Sequence, residues 1–406
     1  NNIGKKVFLT IIFKNLKIIN MENYLGENMY KLSEDYEEMR EMFHGFAESE
    51  VKPLAQKVDE EHMFPEETVA KMQELGFFGI PFDEEFGGQG ADTLTYVLAV
   101  EELSKYCAST GVILSAHTSL SADCINKFGN DEQKKKYLTP LASGEKLGAF
   151  GLTEPNAGTD ASGQQTTAKL DGDEYVLNGT KIFITNGGYA DIYVVFAMTD
   201  KSKGNHGISA FIVEKGTKGF DFGTLENKMG INGSSTMELI FQDCRIPKEN
   251  LLGEEGKGFK IAMATLDGGR IGIAAQALGI AEGALEKAVQ YSKEREQFGR
   301  PLAKFQNTQF KLAEMAIEIE AARNLVYKAA SLKDAGENYS VAAAMAKLKA
   351  SRTASFVADR AVQILGGYGY IKEYDVERMM RDAKITEIYE GTSEVMLMVV
   401  SGALLR

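Results

Sequence analysis

Twice along these 406 residues the spacing of apolar side chains changes, near residue 147 and again near residue 257. Any fold must accommodate both switches. From about residue 33 the pattern is helical. Ser33 suits an N-cap, Glu34 and Asp35 suit the positive end of a helix dipole, and Tyr36, Met39, Phe43 and Phe46 follow at helical spacing. Pro65 opens another helix through Val69, Met72 and Leu75, and Gly76 closes it. FDEEFGGQGAD is a glycine-rich loop, after which 94–107 and 112–128 read as mostly apolar, buried helices.

Past residue 147 the texture is that of strands. LDGDEYVLNGTKIFIT sets Asp-Gly and Asn-Gly turn pairs among short β-branched and aromatic runs, and IYVVFAMT, HGISAFIVEKG and STMELIFQDCRI continue it. Strands this short, punctuated this often, predict a small antiparallel barrel or sandwich instead of βαβ units. From about residue 257 helices return and lengthen. Ile271, Ala274, Leu278, Leu285 and Val289 mark one apolar stripe, while Ala342, Ala346, Ala350, Ala354 and Ala358 form a smooth ridge that lets another helix approach.

The expectation is an α+β, multi-domain chain. It comprises an N-terminal α-helical domain (30–146), a middle antiparallel β-barrel domain (147–256) and a C-terminal four-helix bundle (257–406). A chain this long exceeds what one hydrophobic core usually organises. Residues 1–29 read as an extension outside the fold. Lys5, Lys6 and VFLTIIF imitate a signal peptide, but Lys14 and Lys17 interrupt it and no small-residue cleavage site follows.

Composition narrows the partners. The net charge of −13, with no segregated basic run, would repel a nucleic-acid backbone, so none is expected. No apolar run approaches the roughly 20 residues of a membrane helix. Cys107, Cys124 and Cys244 are odd in number and lack a close pair, which suits a reducing cytoplasm and not a disulfide framework. His44, His62, His117 and His206 are scattered without ligand spacing, so no metal site is expected.

Two glycine-rich stretches fail as nucleotide loops. GEEGKGF (253–259) has the wrong spacing and no Ser/Thr after Lys257, and GGYGY (366–370) follows a helix instead of a strand. A nucleotide-like cofactor would have to be held another way. GLTEPNAGTD (151–160) lies where helix gives way to strand. Its hydroxyls, carboxylates and glycines suit either a flat polar ligand or a tight turn that satisfies its own backbone. In MMRDAKITEIYEGTSEVMLMVV (379–400), Thr392 can cap a helix from about Ser393. Glu390 stands just before that helix. It reads either as a solvated surface residue or as a base whose pKa Ile388 and Tyr389 raise by desolvation.

In combination these segments resemble the acyl-CoA dehydrogenase family over about residues 30–406. GLTEPNAGTDASG looks like one family signature and QILGGYGYIKEYDVERMMRDAKITEIYEGTSE like another, with the likeness strongest to the short-chain, butyryl-CoA branch. The resemblance implies FAD between the β domain and the bundle. It assigns Phe150, Leu152 and Thr153 to the pyrimidine side of the flavin, with Phe183 covering the ring and Thr185 near N5. Thr159 would stand beside the phosphates of acyl-CoA and FAD. Arg295, Gln297, Phe298, Gln306 and the 363–367 segment (Gln363, Ile364, Gly366 and Gly367) would come from a neighbouring subunit of a homo-oligomer, usually a tetramer, to hold the adenine-diphosphate half. Thr392 and Glu394 would complete the flavin contacts, Glu394 standing where related enzymes often carry Gln.

The same resemblance makes Glu390 the base that takes the α-proton while the β-hydride leaves for flavin. The substrate would meet Thr159, Asp267, Arg270, Tyr389, Glu390 and Gly391. The thioester oxygen would lie between the Glu390 N–H and a ribityl hydroxyl, one such preorganised donor being worth about 3 kcal/mol of barrier. Relatives with branched or long substrates take their base immediately before the Arg of an LD-x-x-R stretch. Here that position is Gly269, which cannot act as one. Many relatives have Trp where Phe183 stands, and this chain has no Trp. The implied activity is dehydrogenation of short-chain acyl-CoA, butyryl-CoA to trans-2-butenoyl-CoA, with an electron-transferring flavoprotein as acceptor. Alternatives are an acyl-CoA oxidase and a DNA-binding or scaffold relative. The charge and the intact Tyr389-Glu390-Gly391 stand against the second.

Overall fold

The computed structural model describes residues 32–405; the extension expected over 1–29 lies outside the described residues. Helix α1 (Glu34–Phe46) starts directly after Ser33, with three acidic residues in its first turn. Helix α2 (Glu66–Glu74) follows Pro65, and past its end Gly76 takes φ +77°, which glycine adopts without strain. Asp92 caps α3 (Thr93–Tyr106) by accepting the Thr95 N–H at 2.8 Å. Helix α4 (Ala108–Ser115) continues through wider turns at Ala116–Ala122 into α5 (Asp123–Phe128). Almost all of α3 and α4 is buried.

The strands are β1 (Gly148–Gly151), β2 (Thr167–Asp171), β3 (Glu174–Thr185), β4 (Ile192–Met198), β5 (Ile208–Glu214), β6 (Phe220–Leu225), β7 (Thr236–Pro247) and β8 (Leu251–Leu252). They form one sheet in the order β6-β7-β3-β2-β4-β5-β8, with β1 beside β4. The pairings are antiparallel except β1–β4 and β2–β4, which run parallel. Strand β1 arrives from a helical segment instead of a hairpin, so no tight turn forces it to run against its neighbour.

Strand β4 is covered on both faces. Ile192, Val194, Phe196 and Met198 pack with Leu120, Ile125, Leu138 and Ile261 from the helices. Tyr193, Val195 and Ala197 pack with Leu177, Phe211 and Leu239 within the β layer. The period-two alternation of a strand thus joins the β layer to its helical neighbours.

Helix α6 (Gly258–Glu294) is the spine of the C-terminal part, roughly 55 Å long by its residue count. Every residue across 268–285 is buried, so this stretch is enclosed on all sides. Gly279 permits that closeness to α3, because a Cβ there would stand 2.2 Å from the Glu101 carbonyl oxygen. A hairpin, β9 (Glu296–Gln297) and β10 (Arg300–Pro301), then turns at Phe298 and Gly299, both at positive φ. Helices α7 (Gln306–Asp334), α8 (Ser340–Leu365), α9 (Val376–Ile385) and α10 (Ser393–Leu404) complete the bundle. Ala346, Ala350, Ala354 and Ala358 of the expected ridge are fully buried on α8, which packs along α6.

The Glu101, Glu102 and Glu282 carboxylates converge to within 4.8 Å of one another. Arg40, Lys105 and Arg323 lie among them: Arg40 Nε is 3.0 Å from Glu102 and Lys105 Nζ is 3.3 Å from Glu282, with Arg323 also paired to Glu282. Three cations match three anions, so the cluster is a buried ion network. Among the described residues no helix is long and apolar enough to cross a membrane.

Candidate active site

Glu390 lies in the turn between α9 and α10, at φ +54°, and Gly391 follows at φ +102°. A left-handed conformation is uncommon and costly for a residue with a side chain. The turn is held at both ends. The Tyr389 N–H donates to the Ile385 carbonyl at 3.1 Å, and Thr392 caps α10 by accepting the Val395 N–H at 3.4 Å. The Glu390 N–H has no acceptor among the described residues. It is therefore available to an incoming carbonyl.

The Glu390 residue is partly exposed, but its Oε2 is buried and has no hydrogen-bond partner among the described residues. Burial pushes its carboxyl up to about 8, while the Lys347 and Arg270 cations pull the other way. Arg270 is buried on α6, with Nη1 2.5 Å from Asp267 Oδ1 and a buried, unpartnered Nε. Gly269 precedes it. A Cβ at Gly269 would stand 2.1 Å from Glu390 Oε2 and 2.6 Å from Leu120 Cδ2. The space beside Gly269 is thus filled by this carboxylate.

Tyr389 directs its hydroxyl to Gln276 Oε1, and Gln276 Nε2 donates to the Ala108 carbonyl at 2.9 Å. Tyr96 donates to Ser115 Oγ at 3.2 Å. These polar groups are buried and satisfied, so they form a rigid polar wall close to the carboxylate.

Leu120 also belongs to the apolar cluster that contains Phe150 and Leu152. Beyond β1, the 151–160 segment folds back on itself through paired Glu154 and Ala157 backbone bonds of 3.2 and 3.0 Å. The Glu154 carboxylate accepts the Gln165 and Thr166 N–H groups, and its Oε1 lies 2.8 Å from Lys181 Nζ. Lys181 is fully buried and also donates to the Leu152 carbonyl at 3.0 Å. Glu154 is therefore structural, as the tight-turn reading has it. Thr153 accepts the Ile182 N–H on its carbonyl at 2.9 Å and is left partly exposed, whereas Thr159 is exposed.

Strand β3 carries a bulge between Lys181 and Ile184. Phe183 sits in it at φ +59° and is 58% exposed. The bulge turns a large aromatic face out of the sheet, with Thr185 two residues on, paired with Thr236.

A separate cavity of about 440 Å³ is lined by Tyr291, Arg295, Gln297, Leu302, Ile364 and Gly367, among others. It shares no lining residue with the Glu390 surroundings. Arg295 lies over the Tyr368 ring at 5.4 Å. Gln306 and Gln363 are exposed, and Gly366 takes φ +61°. Phe298 is 94% exposed at the hairpin tip. Glu394 is exposed in the first turn of α10, its carboxyl held below the usual range by its own backbone N–H and by Thr392.

So Asp267, Arg270, Tyr389, Glu390 and Gly391 come together, as do Arg295, Gln297, Ile364 and Gly367, while Thr159 is exposed. Sequence reading missed Lys347 and Lys181. Lys347 lies four residues after the buried Ala343 and three before Ala350, a spacing that puts it on the packed face of α8. Lys181 shares its parity with the buried Tyr175 and Leu177.

Three family profiles match in chain order. The acyl-CoA dehydrogenase N-terminal domain covers residues 33–145, the middle domain 149–244 and the C-terminal domain 256–405. A protein of Clostridium acetobutylicum described as a short-chain specific acyl-CoA dehydrogenase is 63% identical over 377 residues, which is 93% of this chain and all of that protein. The structure of butyryl-CoA dehydrogenase from Megasphaera elsdenii superposes with a TM-score of 0.92 at 60% identity, covering 93% of this chain and all of that one. A chain from a structure described as the electron transferring flavoprotein of Acidaminococcus fermentans, concerned with flavin-based electron bifurcation, gives a TM-score of 0.92. It is 63% identical and covers 93% of this chain and 99% of that one.

Proposed function

The chain belongs to the acyl-CoA dehydrogenase family, and on that premise we propose that it dehydrogenates short-chain acyl-CoA, butyryl-CoA to trans-2-butenoyl-CoA, passing electrons to an electron-transferring flavoprotein. The cofactor is FAD. The observation that carries this reading is the buried, unpartnered Oε2 of Glu390, aimed at the space beside Gly269.

We assign Glu390 as the base. Its carboxylate, short of hydrogen-bond partners and desolvated, is more basic than one in water. Its own N–H polarises the thioester oxygen, which stabilises the negative charge that develops as the α-proton leaves. Tyr389 and Gly391 wall the acyl group. Arg270, paired with Asp267, adds positive charge near the developing enolate. FAD, when bound, supplies the acceptor for the β-hydride.

The residues present fit that cofactor. Phe183 offers an aromatic face outside the sheet, with Thr153 and Thr185 as polar neighbours and the backbone of Phe150 and Leu152 behind them. Thr392 and Glu394 stand at the positive end of α10. The cavity lined by Arg295, Gln297, Ile364 and Gly367, with Gln306, Gln363, Gly366 and the exposed Phe298 around it, suits a pyrophosphate and adenine. Since that cavity is separate from the Glu390 turn, we assign it to the cofactor of a neighbouring copy, in a homotetramer. Thr159 is assigned to the phosphates. We keep the division into a helical domain to residue 146, a β domain over 147–256 and a bundle beyond. We place the protein in the cytoplasm, on the reading of Cys107, Cys124 and Cys244, which stand as buried thiols.

Anaerobic titration of the purified holoenzyme with C4 to C8 acyl-CoAs, following flavin absorbance, tests the proposal. Bleaching strongest at C4 is expected, and Glu390→Gln should keep FAD but lose ~10²–10⁴ of turnover. No bleaching by any of these thioesters, or turnover by Glu390→Gln within tenfold of wild type, would overturn it.

A further inference from the structure

Lys347 is a fully buried ammonium in the middle of α8, on a helix whose other buried positions are mostly alanine. Lysine is almost never fully buried unless paired, because desolvating its charge costs several kcal/mol. An apolar residue would pack here without that penalty. The retained charge has a definite target: Nζ donates to the Gly391 carbonyl at 2.6 Å. That carbonyl follows two consecutive positive-φ residues, Glu390 and Gly391, so the bond fixes the part of the chain least able to hold itself.

We propose that Lys347 is the positioning residue of this turn, holding the Gly391 carbonyl so that the Glu390 carboxylate and N–H keep their aim, and setting a positive charge close to that carboxylate. The inference rests on Glu390 being the base. It assigns Lys347 no contact with substrate or cofactor.

The surrounding charges support the role. Glu387 is occupied by Lys384 at 2.8 Å and by Ser355, and Glu394 is exposed. The remaining anion close to Lys347 is Glu390, which heads the charges acting on it. Arg270, already bonded to Asp267, is the other cation acting on Glu390, and the Tyr96 and Tyr389 hydroxyls are the neutral titratable groups nearby. Burial draws the Lys347 ammonium down to about 8 and pushes the Glu390 carboxyl up to about 8. Each charge thus opposes the desolvation of the other. Removing the cation leaves burial less opposed, so the Glu390 carboxyl must titrate at higher pH.

The test compares wild type with Lys347→Met, Lys347→Arg and Lys347→Gln as FAD-loaded enzymes, with Glu390→Gln to assign the carboxyl signal. The carboxyl is titrated directly by infrared difference spectroscopy, and kcat and KM are measured with butyryl-CoA. Lys347→Met should lower kcat by ~10- to 100-fold, change KM less than threefold, and move the Glu390 midpoint upward by half a pH unit or more. Lys347→Arg should restore much of the midpoint. A folded, FAD-replete Lys347→Met with an unmoved midpoint and kcat within twofold overturns the proposal, as does equal loss in Met and Arg variants that merely shed FAD. Should Lys347→Met not fold, Lys347→Gln decides, because its amide can still bond the carbonyl without charge. An upward midpoint supports the proposal and an unmoved one overturns it. If Glu390→Gln itself turns over normally, the base assignment fails first, and the two failures are told apart.

Discussion

Glu390 Oε2 stands where a side chain on Gly269 would begin, 2.1 Å from the Cβ that residue lacks. The two positions lie 121 residues apart, yet they compete for one volume. Because the carboxylate and the Leu120 methyl are both far ends of flexible side chains, Gly269→Ala should fold and displace the proposed base. Retained FAD and melting temperature with kcat reduced by ~10- to 100-fold are expected, since about 1 Å of misplacement has that effect. Activity within twofold of wild type would show the carboxylate has room elsewhere.

The pH profile follows from the environment of the same group. Burial raises the Glu390 carboxyl to about 8, and only the ionised form accepts a proton. The logarithm of kcat/KM should therefore rise with unit slope from pH 6 and bend near pH 8. A plateau already reached at pH 6 would mean that the free enzyme's base is not desolvated.

Lys181 binds the Leu152 carbonyl and the Glu154 carboxylate from inside the β layer. Burial lowers it to about 8, so the ion pair weakens as pH rises through that value. Lys181→Met strands part of a buried carboxylate and should destabilise the fold by about 3 kcal/mol. It should also loosen FAD, measured by thermal melts and flavin release. Unchanged flavin affinity would mean the 151–160 segment holds its shape unaided.

Phe183 is the reverse case, exposed and strained, contributing little to the fold of the lone chain. Phe183→Ala should shift the melting temperature of the apoprotein by little. It should weaken FAD by ~2- to 10-fold, the worth of one aromatic contact of about 0.5–1.5 kcal/mol. A large loss of apoprotein stability with full flavin affinity would place that ring in the core instead.

The helix–strand–helix order was legible because periodicity registers burial directly: Thr392, Pro65 and Gly76 mark helix ends by local chemistry that needs no partner. The bulge in β3 was not. Tyr175, Leu177 and Lys181 keep one parity, then Ile184 takes the other, and nothing in the run IFIT announces the switch. The parallel pairing of β1 with β4 depends on a long-range register that local spacing does not encode.

For the site, the segment around Glu390 was legible as a unit because its residues are contiguous. What sequence left unread was the identity of its supports. Lys347 and Gln276 reach it from other helices, and only their packed faces, not their chemical types, follow from spacing. At position 347 the spacing gives a packed face but not the reason for a lysine there; the fold makes it an interior group bonded to the Gly391 carbonyl.

The strained turn at Glu390 comes after the β layer and after the two helices that brace it. During synthesis a ribosome therefore releases Arg270 and Lys347 before the proposed base. Competence to take the α-proton of a thioester arrives only once its supports have been made, so an unfinished protein lacks the group that would act on cellular thioesters.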